Sequence, residues 1–242
     1  MITGIVVALP EELSTLTSKR IDKGRCVFIA DKLLVAYSGA GPENAQAAAE
    51  LLASRGTTQL ISWGCAAALD DTLKPGDLTL ADTLIDADNA HIDIDSNFHR
   101  HTKSLLSKFL TVHTGCLAES KSIVSSSKDK KQLQSKTGAI ALDMESIAIA
   151  KVAQQHALPF LAIRAIVDPA NMDLPRAINH SLNDQGDIVL RKLLLFIALH
   201  PAELPRLIRL GLHFNAAKNT LKLVAKHLDS MACFDQSNTT AL

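Results

Sequence analysis

Two carboxylates in the middle of the chain have the surroundings of reactive groups rather than of surface acids. Glu145 follows a short apolar run that begins at residue 139, and Asp168 follows a second one, 160–167. Between them, residues 144–156 have the composition of a helix. Read as strand, helix, strand with the two strands parallel, the unit delivers both acids beyond the carboxyl ends of the strands, where open α/β sheets bind ligands. A carboxyl partly buried at a strand end keeps its proton to higher pH and can give it to a leaving group, which suits Asp168. An ionised carboxylate accepts hydrogen bonds from two neighbouring hydroxyls at once, which suits Glu145. Taken singly, each has a plainer reading: Asp168 precedes Pro169 and starts a turn, and Glu145 complements a helix dipole. Their occurrence at consecutive strand ends favours chemistry. Arg164, inside the second apolar run, either holds a carboxylate or anchors a subunit contact.

The elements that must carry these groups alternate along the chain. Residues 2–8, 33–37, 59–63 and 78–81 read as strands, and the alanine-rich 43–54 as a helix. The pattern predicts one α/β domain, a mixed twisted sheet flanked by helices, over residues 1–189, with a helical extension over 190–242 packed on it. Gly39 and Gly41 flank a strand-to-helix turn, which is either a weak phosphate-binding signal or only a tight turn. Residues 125–136, polar and lysine-rich, read as a solvated helix or loop.

Composition narrows the classes. With 242 residues, 47% hydrophobic, and 25 basic against 25 acidic side chains, the chain can bury a sizeable core and has no global pull toward nucleic acid. Its four cysteines, Cys26, Cys65, Cys116 and Cys233, are widely spaced, which argues against a zinc ribbon or disulfide framework and fits a reducing, cytoplasmic setting. The N-terminus meets Glu11 and Glu12 directly after its apolar run, so it reads as a first strand rather than a signal peptide. The charge balance is uneven, however. Between residues 190 and 228 seven basic residues face one acid, Glu203. This basic, leucine-rich segment is broken by Pro201 and Pro205, and reads as a packed terminal helix, a dimer face or a peripheral lipid contact at the inner membrane surface.

Asp143-Met144-Glu145-Ser146 and 164–168 resemble motifs of the purine nucleoside phosphorylase and methylthioadenosine nucleosidase superfamily. So do the runs 61–69 and 73–77 and the N-terminal 4–12. Ser62-Trp63-Gly64, the turn 38–42 and the tail 201–205 are similar to the hopanoid-associated phosphorylase branch. The resemblance implies cleavage of a purine nucleoside's N-glycosidic bond, with Asp168 as the acid and Glu145 on the ribose hydroxyls. It implies Glu12 as the residue that polarises an attacking water; the plainer reading of Glu12 is an exposed helix-start residue. It further implies Met144 packed against the sugar and Cys65 and Ala66 lining the nucleoside site; with Lys121 in place of an acid, base recognition is expected to fall to the backbone of Ile123 and Val124. No cofactor is expected; phosphate is a candidate co-substrate in place of water, and the expected assembly is a homodimer or higher homo-oligomer.

The branch resemblance implies adenosylhopane, a nucleoside with a large apolar 5′ group, as substrate. The rivals are a methylthioadenosine or adenosylhomocysteine nucleosidase and a non-catalytic nucleoside-binding protein. Two departures bear on this choice. Ala67-Ala68 replaces a glycine pair where backbone lies close to the nucleoside and positive φ is a concern, and Lys121 stands where an acid is common. The Asp- and His-rich stretch 82–101, with Asp86, Asp88, His91, Asp93, Asp95, His99 and His101, has metal-ligand residue types without compact spacing. A substrate or interface loop without metal is expected there.

Overall fold

A computed structural model describes residues 1–94, 96–181 and 189–232. Among the described residues eleven strands form one mixed sheet: β1 (Thr3–Val7), β2 (Arg25–Ala30), β3 (Leu33–Tyr37), β4 (Gln59–Ala68), β5 (Leu78–Leu80), β6 (Thr83–Ile85), β7 (His91–Asp93), β8 (Val112–His113), β9 (Cys116–Glu119), β10 (Ala141–Asp143) and β11 (Phe160–Asp168). The helices are α1 (Pro10–Leu13), α2 (Pro42–Ser54), α3 (Asn97–Leu106), α4 (Ser127–Thr137), α5 (Ser146–Gln155), α6 (Arg176–Ser181), α7 (Leu190–Leu199), α8 (Leu204–Ala225) and α9 (Leu228–Ala232). Residues 233–242 of the expected extension, and with them Cys233, lie outside the described residues, as does Asp95 of the acidic loop.

Strand β4 is the hub. Its first half pairs in parallel with β1, its last two residues pair antiparallel with β10, and its other edge pairs in parallel with β11 along nearly its whole length. Alternation along the strands divides the core between the two faces. Ala48, Ala49 and Leu52 of α2 and Ile147, Ala150 and Val152 of α5 cover one face. Leu13, Phe98, Leu106, Ala217, Leu221, Val224 and Met231 from α1, α3, α8 and α9 cover the other.

The expected parallel strand, helix, strand unit is not what the chain builds. Because β10 opposes β4 while β11 follows it, β10 and β11 are antiparallel and lie on opposite edges of β4. A three-residue strand carries too little pattern to announce its direction. The two carboxylates therefore enter at different levels along β4, with Glu145 beyond Asp143 and Asp168 opposite Ala67. A register shift between Ile166 and Asp168 leaves Val167 as an extra residue, a bulge of the kind that re-aims the side chain after it.

The segment 125–136 also departs from expectation. It is helical, but Lys130 is fully buried and ion-paired rather than solvated. Ala67 and Ala68 are ordinary strand residues of β4, and neither takes positive φ, so the glycine pair is not needed here for conformation. The two prolines of the tail flank a single boundary, a 3-10 turn at Pro201–Glu203 that leads into the 22-residue α8.

Candidate active site

Glu12 is held through both of its carboxylate oxygens. Helix α1 begins with Pro10, and the Glu12 carboxylate turns back so that Oε2 accepts the Leu9 amide at 3.1 Å, half of a capping box. Its other oxygen accepts the Cys65 amide at 2.7 Å. The Trp63 indole donates to the Thr15 hydroxyl (3.0 Å), which donates to the Glu12 carbonyl (2.6 Å), so the helix end is tied to β4. Glu12 is 3% exposed, against the surface reading. It can lie there because β4 has a glycine beneath it: a Cβ at Gly64 would stand 2.6 Å from Oε1. Burial pushes the Glu12 carboxyl up to about 7, against the Cys65 amide and the Arg164 charge, which pull it down.

A cavity of ≈ 10 Å³ adjoins this carboxylate, with Glu12, Cys65, Ser62, Glu145, Ile149 and Arg164 in its wall. That is about the space one water needs. Arg164 is committed to its neighbours: Nε donates to Asp143 Oδ2 at 2.6 Å, and its terminal nitrogens donate to the Ser62 hydroxyl (2.5 Å), the Ser146 hydroxyl (3.0 Å) and the Ile163 carbonyl (2.9 Å). Of the two sequence readings of Arg164, the carboxylate holder is the one built. Asp143, which the sequence reading named only as part of a motif, is its partner.

Glu145 sits at the N-terminal end of α5 and reaches across to α2, where its Oε1 accepts the Gly41 amide at 3.0 Å. Burial raises its pKa, and the neighbouring Asp143 adds to that. Gly41, at φ 98°, caps α2, so the amide that a phosphate-binding turn would offer is taken by a protein carboxylate.

Asp168 stands opposite Ala67, two residues beyond Cys65 on β4, and so roughly 7 Å further along the sheet. It is 3% exposed and lies 2.6 Å from Lys130 Nζ. Burial raises it to about 6, although the Lys130 charge pulls the other way.

The remaining predicted residues divide. Cys65 lines the cavity, its thiol pushed up by burial and by the Glu12 charge. Ala66 is buried in the core, opposite Ile166 of β11. Met144 is half-buried, Ile123 is 38% exposed, and Val124 packs with Leu69 and Leu142; none of these three borders the small cavity. In the acidic loop, Asp86 accepts the amides of Asp88 and Ala90 and pairs with Lys151. Among the described residues no three His, Cys, Asp or Glu side chains gather to hold a metal ion.

A profile of the phosphorylase superfamily matches residues 3–193. The chain belongs to the phosphorylase superfamily. The expectation of an enzyme is met with it. A 5′-methylthioadenosine/S-adenosylhomocysteine nucleosidase of Staphylococcus aureus is 26% identical over 197 residues, covering 69% of this chain and 86% of that protein. The nucleosidase of the same name from Neisseria meningitidis, solved with methylthio-immucillin-A, superposes with TM-score 0.71 at 20% identity, covering 95% of this chain and 99% of that one. The futalosine hydrolase of Helicobacter pylori gives 0.69 at 20% identity, covering 95% and 96%. At that identity the structural likeness establishes the fold.

Proposed function

We propose that this superfamily member hydrolyses the N-glycosidic bond of a purine nucleoside. The observation that carries the reading is the Glu12 carboxylate, buried over Gly64 beside a cavity the size of one water. Water held there adds its oxygen to the anomeric carbon and passes a proton to Glu12. The carbon–nitrogen bond breaks, its electron pair leaves with the purine, and Asp168 protonates the ring nitrogen N7 as charge builds on the base. Glu145 accepts hydrogen bonds from the ribose hydroxyls. Water is favoured over phosphate because the Gly41 amide and the Arg164 guanidinium, the donors an anion would seek, are already engaged. The S. aureus relative carries a nucleosidase name, which agrees. Release of adenine from 5′-methylthioadenosine, measured with and without phosphate, tests this: a rate that needs phosphate overturns the choice of water.

The 5′ side of the substrate is read from the tail. On α7 and the first half of α8, Leu194, Leu195, Leu199, Leu204, Ile208 and Leu212 are exposed, interspersed with Arg191, Arg206 and Arg209. The superfamily profile ends at residue 193, before most of this face, although the N. meningitidis nucleosidase superposes on 95% of the chain. An apolar, basic face supports an apolar 5′ substituent presented at an anionic lipid surface, adenosylhopane being the substrate expected from the sequence. No helix of the described residues is long and apolar enough to cross a membrane, so the contact is peripheral in this reading. Comparing adenosines whose 5′ groups run from methylthio to long alkyl decides it; preference for the shortest favours a small-nucleoside enzyme like the named relatives.

A further inference from the structure

Helix α4 carries four lysines, Lys128, Lys130, Lys131 and Lys136, and only Lys130 leaves the solvent entirely. Burying an ammonium costs several kcal/mol unless its charge and its donors are met. Lys130 meets them on one short segment. Its Nζ lies 2.6 Å from Asp168 Oδ2 and donates to the carbonyls of Pro169 (3.1 Å) and Met172 (2.8 Å). The contact with Asp168 is an ion pair by distance, poorly aligned as a hydrogen bond. Asp168 Oδ1 is buried and has no partner at all. An unmet carboxylate oxygen in the interior is costly, and a donor or acceptor on a ligand would relieve it.

We propose that Lys130 is a positioning residue for Asp168: it holds Oδ2, leaves Oδ1 to the departing base, and through its charge sets the pH range in which Asp168 carries a proton. The proposal rests on the reading of Asp168 as the acid. The charged groups that act on Asp168 come from two elements: Lys130 from α4, and Asp173 from the loop after β11, whose carboxylate accepts the Ser127 amide at 2.7 Å. His213 of α8 stands against the backbone of Val167, the preceding residue. Burial and Asp173 favour the neutral acid, and Lys130 opposes both. Without Lys130 the opposition disappears, and Asp168 keeps its proton to higher pH.

The experiment titrates Asp168 by carbon NMR of labelled aspartates, assigned by the signal lost in Asp168→Asn. Lys130→Met, close in volume, is expected to fold and to raise the Asp168 midpoint by about one to three pH units. Lys130→Arg should leave it near the parent's. A folded Lys130→Met with an unmoved midpoint overturns the proposal. Should Lys130→Met not fold, Lys130→Arg carries the test. An unchanged midpoint with purine release retained supports positioning by charge, and an unchanged midpoint with release abolished overturns it. Purine release from Asp168→Asn separates the two readings: a near-normal rate removes the acid role itself, whatever Lys130 does.

Discussion

Glu12 works as a base only when ionised, and Asp168 as an acid only when protonated. Glu12 is raised to about 7 and Asp168 to about 6, so the base holds its proton to higher pH than the acid does. The ionised fraction of Glu12 falls as pH drops below about 7 and the protonated fraction of Asp168 falls as pH rises above about 6, so their product is highest between the two. A plot of kcat/KM should therefore be a narrow bell with its top between these values and a tenfold change per pH unit, roughly, on each side. A profile flat from about pH 5 to about pH 9 would contradict one of the two roles. Glu145→Gln is a second test at this scale. The amide oxygen can still accept the Gly41 N–H, so folding should survive, while the ribose hydroxyls lose a charged acceptor. Release from a ribonucleoside should drop by about 10- to 100-fold, and less from the 2′-deoxy analogue, where one hydroxyl is already missing. Equal losses on both substrates would sink the ribose assignment.

Strand β4 supplies the backbone that every site residue leans on, so its one glycine is a sensitive position. Gly64→Ala puts a methyl into the Glu12 carboxylate, with little core to disturb otherwise. Steady-state kinetics should record loss of most turnover while the thermal midpoint moves by only a few degrees; near-normal turnover would mean that Glu12 can act from elsewhere. Arg164→Met acts on the fold itself. It leaves the buried Asp143 carboxylate without its counter-charge, held only by the Ser146 amide and hydroxyl, a loss of about 3–5 kcal/mol in a urea titration, and a loss below about 1 kcal/mol would mean that the Ser146 hydrogen bonds suffice to hold it.

Several elements were legible, though the longest strand, β4, was read only as 59–63 and runs on to Ala68. Strands β1, β3 and β11 and helices α2 and α5 follow from apolar runs and an alanine-rich stretch to within about two residues. Strand β10 has only Ala141–Asp143, so its reversal was hidden, and so was the Asp143–Arg164 pair that its position creates. Lys130 was hidden for another reason. A helix rich in lysine and serine reads as solvated, and nothing local distinguishes the one lysine that turns inward toward a residue 38 positions away. Glu12 was half legible: a proline and two acids announce a helix start, but its burial depends on Gly64, some 50 residues on.

At the scale of the whole molecule the neutral net charge conceals a division between a basic tail and an acidic remainder. If the tail approaches lipid, cosedimentation with anionic vesicles should be measurable at low salt and weaken as salt screens it. Arg206→Gln with Arg209→Gln should reduce the salt-sensitive part, and Ile208→Ser with Leu212→Ser the part that persists in salt. Neither pair should alter cleavage of a short soluble nucleoside. Failure to cosediment at low salt, together with a dimer in sedimentation velocity, would reassign the face to a second copy of the chain.

Helix α8 belongs to two environments at once. Its 22 residues span about 33 Å, with Ala217, Leu221 and Val224 closed against the sheet and Leu204, Ile208 and Leu212 open to solvent. The Thr220 hydroxyl, donating to the Gly76 carbonyl at 2.6 Å, pins the buried half. One continuous ladder of backbone amides therefore runs from a region that opens only when the domain unfolds into a region that frays locally. Amide hydrogens after about residue 213 should exchange as slowly as those of β11, and those before it orders of magnitude faster. The same helix thus carries an internal reference for its own solvent contact: whatever covers the open half, lipid or protein, will slow exchange on one side of residue 213 and leave the other side unchanged.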